Sequence, residues 1–201
     1  MIKELIIATR NKGKLREIRE LFKDLDLKIT SLADYPNLPK IYEEGKSFRD
    51  NAIIKAATIA QFTKKLTLGE DSGLEVKHLK NQPGVYSARF AGDGATDKKN
   101  NAKLLRLLHG VPLKKRGARY RCFAALANAE KLIDVVSGTC EGLIALRSKG
   151  KNGFGYDPLF YLPRYQKTFG ELPPRIKSKI SHRAKALKKL KKFIREYLCS
   201  S

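Results

Sequence analysis

The spacing of hydrophobic residues changes along the chain, and each change predicts a separate element. Residues 5–8 form a short apolar run with branched side chains, which is typical of a buried strand. A polar loop, residues 9–14, follows. Apolar residues then recur at the spacing of one helix face, and they are Leu15, Ile18, Leu21 and Phe22. The chain is therefore predicted to begin as a strand, a loop and an amphipathic helix.

A second helix is predicted to begin at Ser47, because SFRD has the form of a capping box with Asp50 three residues after the cap. Its buried face is predicted to consist of small and branched residues: Ile53, Ala56, Ala57 and Ala60. Residues 66–68 and 74–76 are short apolar runs. They predict two strand pieces, one on each side of the polar segment GEDSG.

The later pattern predicts a helix over residues 97–108 and two strands, residues 119–127 and 132–140, joined by a turn. A basic helix after Ser181 closes the chain, and its inward residues are Leu187, Leu190, Ile194 and Leu198. Because strands and helices alternate early and a hairpin comes later, we expect an α/β fold with a mixed sheet. The sequence shows no internal repeat or low-complexity linker, so residues 1–201 are predicted to form a single domain.

The charge of the chain adds a constraint on its partners. Hydrophobic residues make up 42% and charged residues 31%, which is the composition of a globular protein. Lys and Arg number 42 against 20 Asp and Glu, so the formal net charge is +22. Such an excess attracts nucleotides, nucleic acids or an anionic membrane surface, although a heavily solvated surface explains it equally well.

Cysteine usage and the N-terminus indicate the compartment. The three cysteines, Cys122, Cys140 and Cys199, are an odd number without CxxC spacing, which argues against a disulfide framework or a zinc site. The apolar run near the N-terminus is too short for the core of a signal peptide. No run approaches the roughly 20 apolar residues of a membrane-spanning helix. We therefore expect a cytoplasmic protein without a membrane partner.

The first segment with candidate chemistry is ATRNKGKL, where the predicted strand is followed by a helix. The start of a helix presents free N–H groups and the positive end of the helix dipole, which suit a phosphate. Arg10, Lys12 and Lys14 add positive charge, and Gly13 allows the backbone to come close to a ligand. The Walker pattern is absent, so an ordinary solvated turn is the alternative.

The second segment is YEEGKSFRDNAIIKA, in which Glu43 and Glu44 come just before the capped helix. Asn51 and Lys55 lie four residues apart and therefore share one face of that helix. They are either functional polar groups beside the alanine-rich face or surface residues. From this segment alone, the surface interpretation is favoured.

The third segment, LGEDSGLEV, places two adjacent carboxylates, Glu70 and Asp71, in an apolar strand pattern. Burying them costs free energy unless a cation or hydrogen-bond donors compensate. Mg²⁺ prefers carboxylate oxygens together with water and substrate phosphates. Because successive residues of a strand point to opposite sides, we expect only one of the two to be a direct ligand. A polar turn between two strands is the alternative.

Two further segments combine aromatic and basic residues. KGKNGFGYDPLF surrounds Phe154 and Tyr156 with glycines, so the loop can present an aromatic face on which a purine stacks, and Asp157 can accept a hydrogen bond from the base. The alternative is a turn that packs its rings into the core. In RIKSKISHRAKAL, His182 and Arg183 fall in the first turn of the last helix, where cations oppose the dipole and an anion or carbonyl ligand is favoured.

Taken together, these segments resemble the inosine/xanthosine triphosphate pyrophosphatase family, also called Ham1-like proteins. The similarity runs from Leu5 to about Ile194. Its motifs in order are TRNKGK, EEGKSFRDNAIIKA, EDSGLEV with QPGVYSARFAG, GFGYDPLF, and KTFGEL followed by KSKISHR. The resemblance implies an elongated mixed twisted sheet flanked by helices, in two lobes with a nucleotide cleft between them, and usually a homodimer.

The resemblance also implies roles for individual residues. Glu43 and Asp71 would be associated with magnesium, and Asp71 would be the proton acceptor. The residues implied to bind substrate are Thr9, Arg10, Asn11, Lys12, Gly13, Lys14, Lys55, Ser72, Phe154, Gly155, Tyr156, Asp157, Lys177, His182 and Arg183. The chain departs from the family in having prolines and a basic residue before Lys177, where an acidic residue is common, and this makes the segment stiffer.

The implied function is magnesium-dependent hydrolysis of ITP, dITP and XTP to the monophosphate and pyrophosphate. Phe154 would stack on the purine. A donor such as Arg183 would favour a 6-oxo group, which accepts hydrogen bonds, over the 6-amino group of adenine. Two other functions remain open: a basic RNA- or DNA-binding protein without catalysis, and a nucleotide-binding regulator. Because neither explains the EDSG carboxylates, we expect no stable nucleic-acid partner.

Overall fold

The computed structural model describes residues 3–200, which divide into two compact units. Unit 1 comprises the described residues up to Asp71, residues 122–138, and the residues from Arg183 onwards. Unit 2 comprises residues 72–121 and 139–182. The chain therefore passes from one unit to the other four times, after Asp71, Arg121, Gly138 and His182.

The strands of unit 1 follow an α/β pattern. The strand β1 (Lys3–Ile7) pairs in parallel with β2 (Leu27–Ser31) on one side and with β3 (Leu66–Val76) on the other. The order then continues from β3 to β5 (Gly117–Ala127) and β6 (Leu132–Ile144). Parallel neighbours joined through helices produce strands that are buried on both faces, which explains the unbroken apolar run of β1.

Three helices cover the sheet of unit 1: α1 (Lys12–Phe22), α2 (Phe48–Thr63) and α5 (His182–Ser200). The faces of α1 and α5 form one core with the sheet, whose fully buried members include Leu5, Ile18, Phe22, Leu187, Leu190 and Ile194. Alanines of α2 pack on alanines of β5 in a second cluster. At Gly69 a Cβ atom would lie 2.2 Å from the carbonyl oxygen of Ala52. The helix α2 therefore lies so close to β3 that only glycine fits at this position.

Unit 2 is built from short antiparallel pairs and two helices. The strand β4 (Gln82–Pro83) pairs with the end of β3, and β7 (Phe160–Leu162) pairs with β6 and with β8 (Lys167–Thr168). The helices are α3 (Asp97–Leu107) and α4 (Pro174–Ile180). Its core combines aliphatic and aromatic side chains, among them Leu74, Leu104, Tyr120, Phe160 and Phe169.

The structure confirms the mixed α/β class and corrects several elements. Residues 66–68 and 74–76 belong to one continuous strand, β3, so the prediction of two separate strand pieces is wrong and the alternative of a polar turn at GEDSG is excluded. On α2 the buried apolar residues are Phe48, Ala52, Ala56, Ile59 and Ala60, so the predicted burial of Ile53 and Ala57 is wrong. The strand β2 and the helix α4 were not predicted from the sequence. The assignment of residues 1–201 to a single domain stays a prediction.

Within the described part of the chain, no helix is both long and apolar enough to cross a membrane.

Glu4 of β1 should make unit 1 sensitive to acid. Its carboxylate accepts hydrogen bonds from Thr30 Oγ1 at 2.9 Å, Tyr35 Oη at 2.6 Å and Lys65 Nζ at 2.6 Å. Although burial opposes ionisation, these donors, Lys65 first, lower the pKa of Glu4 from 4.5 to about 2. Because the folded-state pKa lies below the unfolded one, the stabilisation is complete above pH 4.5 and is lost as the pH falls towards 2.

We therefore expect Glu4→Gln to lower the free energy of unfolding by roughly 1–2 kcal/mol at neutral pH, after allowance for screening around Lys65, whose side chain is 42% exposed. The difference from the parent protein should shrink as the pH falls. Urea denaturation at a series of pH values measures it. Glu130→Gln, which changes an exposed turn residue, is the control. A difference that stays constant with pH would contradict the assignment.

Candidate functional site

The junction between β1 and α1 has the geometry of an anion site. The helix begins at Lys12, two residues earlier than the end of the predicted loop, and Asn11 is its N-cap. The Asn11 side chain accepts from the backbone N–H of Lys14 at 3.0 Å, and the backbone N–H of Asn11 donates to Thr9 Oγ1 at 3.2 Å. Arg10 and Lys12 are exposed beside the first turn of the helix. The helix start therefore combines available N–H groups with positive side chains.

Lys55 joins the two carboxylates that the family resemblance associates with magnesium. Its ammonium nitrogen lies 2.9 Å from Asp71 Oδ1 and 3.0 Å from Glu43 Oε2. Asn51, one turn earlier on α2, donates from Nδ2 to Asp71 Oδ2 at 3.3 Å and accepts from the Gly45 N–H at 2.8 Å. Both Asn51 and Lys55 are buried, so the interpretation of these residues as surface groups is wrong.

Burial and charge act in opposite directions on this group. Burial raises the pKa of Asp71, and the ammonium groups of Lys55 and Lys14 oppose part of that rise. Burial on its own would lower the pKa of Lys55, but the carboxylates of Asp71 and Glu43 outweigh it, so that the pKa of Lys55 is raised. Lys55 is therefore a cation, and Asp71 is a carboxylate whose proton affinity exceeds that of an ordinary aspartate.

The same pair of carboxylates is suited to a hard metal ion. The Glu43 side chain is 42% exposed and that of Asp71 is 10% exposed, so the pair has a buried member and an open side. Among residues 3–200 no cluster of three or more His, Cys, Asp or Glu side chains could enclose a metal. Mg²⁺ commonly binds through one or two carboxylates and completes its shell with water and substrate phosphates, so the residues present fit it.

Glu70 points to the other side of β3 and is fully buried in a charged cluster. Its Oε2 lies 2.8 Å from Lys14 Nζ, and its Oε1 lies 3.1 Å from Arg183 Nη2. The Cys122 thiol, whose pKa burial raises, donates to the same Oε1 at 3.2 Å. Arg183 also contacts Glu17 Oε2 at 2.5 Å. Adjacent residues of β3 thus contact different helices, as the predicted alternation requires: Glu70 contacts α1 and α5, and Asp71 contacts α2.

In unit 2, residues 153–157 carry the predicted purine-stacking ring, and we call them the purine loop. The loop is held by its own aspartate. Asp157 Oδ2 accepts from the Phe154 N–H at 2.9 Å and lies 2.5 Å from Lys177 Nζ. The same Lys177 nitrogen stands 4.7 Å from the centre of the Phe154 ring, as a cation over an aromatic face. Gly153 has a left-handed φ of +81°, and a Cβ there would lie 1.9 Å from Asp157 Oδ2. Only glycine fits at that position.

Two sequence predictions in unit 2 change in the structure. Tyr156 is 3% exposed and its hydroxyl donates to the carbonyl oxygen of Ser87 at 2.8 Å, which favours the alternative that this ring packs into the core. Its contact with substrate stays a prediction. The half-exposed ring of the loop is Phe154. His182 is buried and stacks on Tyr120 with ring centroids 4.5 Å apart. Lys177 lies on α4 rather than on a stiff loop.

The structure brings the predicted residues together within each unit. In unit 1 the acids Glu43 and Asp71 share Lys55, and Lys14 shares Glu70 with Arg183. In unit 2 Phe154, Asp157 and Lys177 form one group, and Ser72 and His182 belong to the same unit. Sequence reasoning missed Glu17, although its spacing of three residues from Lys14 places both on one face of α1.

Known proteins share both the sequence and the fold over nearly the whole chain. A model of the Ham1 family matches residues 5–193. A protein named dITP/XTP pyrophosphatase from Desulforamulus reducens is 52% identical over 186 residues, 92% of either chain. Another of that name, from Geobacillus kaustophilus, is 48% identical over 189 residues, 94% of this chain and 93% of the relative. The structure of a HAM1 protein from Coxiella burnetii is 40% identical, with a TM-score of 0.86 and coverage of 96% of this chain and 99% of that chain.

Proposed function

The chain belongs to the Ham1 family, and we propose that it hydrolyses the non-canonical purine triphosphates dITP, ITP and XTP to the monophosphate and pyrophosphate. The names of its relatives support the substrate class. The observation that carries the proposal is the pair of adjacent acids on β3: Asp71 contacts Lys55, and Glu70 anchors Lys14 at the start of α1. Two neighbouring residues of β3 thereby supply an acid suited to catalysis and hold in place a basic helix start suited to phosphate.

We propose that Glu43 and Asp71 hold Mg²⁺. When bound, the ion would neutralise phosphate charge and make a coordinated water more acidic. The two carboxylates fit this role because Glu43 is open to solvent while Asp71 is held in place by Lys55 and Asn51. The requirement for Mg²⁺ is a proposal that activity measured after removal of divalent ions would test.

The residues of the chain supply the remaining parts of the reaction. The N–H groups at the start of α1, with Arg10, Lys12 and Lys14, would bind phosphate oxygens. Lys55 would compensate charge that develops during cleavage between the α and β phosphates. Asp71 would orient the attacking water and accept its proton, and burial suits it to this role by raising its pKa.

Base binding is proposed for the purine loop, where Phe154 would stack on the purine and Asp157 would accept a hydrogen bond from it. Lys177, which contacts both, would be held ready for an oxygen of the substrate. The predicted donation from Arg183 to a 6-oxo group stays a prediction. The guanidinium already contacts Glu17 and Glu70, so any base contact has to share it with two carboxylates.

Assembly and location remain proposals. The resemblance implies a homodimer, which light scattering on the purified protein would test. A cytoplasmic location stays a prediction of the sequence. The alternative of a basic RNA- or DNA-binding protein without catalysis is not supported, because the relatives that match nearly the whole chain are named as pyrophosphatases.

The products of the reaction test the proposed function. Incubation of the protein with dITP and Mg²⁺ should release dIMP and pyrophosphate in equal amounts, without accumulation of dIDP, because the acids and the basic helix start are suited to cleavage between the α and β phosphates. Ion-exchange chromatography of the nucleotides with a pyrophosphate assay measures this. Orthophosphate and dIDP as first products would contradict the proposed bond, and salt-dependent binding of polyanions without turnover would favour the nucleic-acid alternative.

A further inference from the structure

We propose that Asp97 and Asn101 of α3 are positioning residues that clamp the purine loop through the backbone of Gly155 and thereby set the orientation of Phe154. The inference rests on the proposed base-binding role of that loop. Neither residue belongs to the groups described above, and both lie within unit 2 with the loop that they hold.

The two residues bind both backbone polar groups of one glycine. The Gly155 N–H donates to Asp97 Oδ2 at 2.7 Å, and Asn101 Nδ2 donates to the Gly155 carbonyl oxygen at 2.9 Å. Asn101 Nδ2 also donates to the Asp97 carbonyl oxygen at 2.8 Å, one turn back along the helix. Residues four apart face the same side of a helix, so α3 presents an acceptor and a donor at matching separation.

The energetic conditions favour a rigid clamp. Asp97 is the first residue of α3, where the helix dipole stabilises a negative charge, and its bond to Gly155 is charge-assisted. Asn101 is buried, so the loss of its amide would leave the Gly155 carbonyl oxygen short of a donor. Gly155 has a left-handed φ of +61°. Glycine reaches this conformation without strain but does not hold it unaided, so the two hydrogen bonds select one loop conformation.

The clamp lies between the two ends of the loop that have separate anchors. On one side Phe154 is tied to Asp157, and on the other Tyr156 is tied to the carbonyl oxygen of Ser87. Fixing Gly155 between them restricts the backbone of the loop, and with it the direction in which the Phe154 side chain leaves the chain. A stacking platform that is already oriented loses less entropy when a base binds. Loosening the clamp should therefore weaken nucleotide binding and leave the chemistry at Asp71 in unit 1 unchanged.

The test compares Asp97→Ala with Asp97→Asn, which keeps an acceptor oxygen, and with Leu104→Ala as a control. Leu104 is fully buried on the same helix, and its truncation destabilises unit 2 without removing a contact to Gly155. We expect Asp97→Ala to raise KM for dITP about fivefold to tenfold, with kcat changed by less than about twofold. Asp97→Asn should stay within about threefold of the parent KM.

Two further measurements separate positioning from general loss of structure. Inhibition by inorganic pyrophosphate should be unchanged in Asp97→Ala, because pyrophosphate has no base. Amide hydrogen exchange at Gly155, measured by NMR without any nucleotide, should be faster in Asp97→Ala and in Asn101→Leu than in Leu104→Ala. Asn101→Leu provides the same comparison if Asp97→Ala does not fold.

The outcomes distinguish this inference from the proposed function. If exchange at Gly155 is unaffected in both clamp variants, or if Leu104→Ala raises KM as much as they do, the clamp is overturned while turnover of dITP stands. If the parent protein does not hydrolyse dITP, the proposed function is overturned, and the positioning role falls with it whatever the exchange rates. Faster exchange together with the selective rise in KM supports the proposal.

Discussion

Asp71→Asn should lower kcat for dITP by about a hundredfold or more, because it removes the charge that would orient the attacking water and accept its proton. Asparagine keeps the shape of the side chain and an oxygen that can accept from Lys55. The buried ammonium of Lys55 keeps its contact with Glu43 at 3.0 Å, so the charge of the lysine stays compensated. We therefore expect a large loss of kcat with only a small change in the free energy of unfolding.

The measurement is kcat at saturating dITP and Mg²⁺, with urea denaturation of the same preparations. Glu75→Gln is the matched control, since Glu75 is another largely buried carboxylate of β3 and contacts Arg119 at 2.5 Å. It should leave kcat within about threefold of the parent. Glu43→Gln should instead raise the Mg²⁺ concentration needed for half-maximal activity. Near-normal turnover in Asp71→Asn would contradict its proposed role and leave the EDSG segment a structural feature of β3.

The continuous strand β3 shows what local pattern could not predict. Two glycines and two acids in GEDSG are a turn signal when read alone. The strand continues because each acid finds a cation far away in sequence: Glu70 contacts Lys14 and Arg183, and Asp71 contacts Lys55. Gly69 is required by the close approach of α2 rather than by a turn. Partners that compensate buried charge come from tertiary structure, which periodicity does not report.

Motif and spacing indicated the candidate residues of the site, but they could not predict the tertiary contacts that bury some of them. The sequence placed Asn51 and Lys55 on one helix face, but their burial depends on Asp71 and on the Gly45 N–H. Tyr156 was predicted to face a ligand, whereas the Ser87 carbonyl oxygen draws its hydroxyl into the core. Pro174 at the first position of α4 suits a helix start and is the signal in the sequence for this helix.

Glu70→Gln should lower the free energy of unfolding by about 3–5 kcal/mol, because it breaks a buried charged pair by removing one partner. The Glu70 carboxylate lies between Lys14 and Arg183, at 2.8 Å and 3.1 Å. The carboxylates of Glu70 and Glu17 together balance the positive charges of Lys14 and Arg183. Replacing Glu70 by glutamine would leave one positive charge in excess around the fully buried guanidinium. Urea denaturation at neutral pH measures the loss. Glu17→Gln is the matched control and should cost about 1–2 kcal/mol, because the Glu17 side chain is 21% exposed and water replaces part of its charge.

The balance of charge also predicts the behaviour of a double variant. The double variant combines Glu70→Gln with Lys14→Met. Because it removes one anion and one cation, Arg183 and Glu17 remain as a balanced pair. The double variant should therefore lose less stability than the sum of the two single variants, with a coupling of about 1–2 kcal/mol. Strict additivity would show that Lys14 and Glu70 act independently despite their 2.8 Å separation. In that case the helix start and the EDSG strand are not tied through this pair, and the observation that carries the proposed function loses its physical basis.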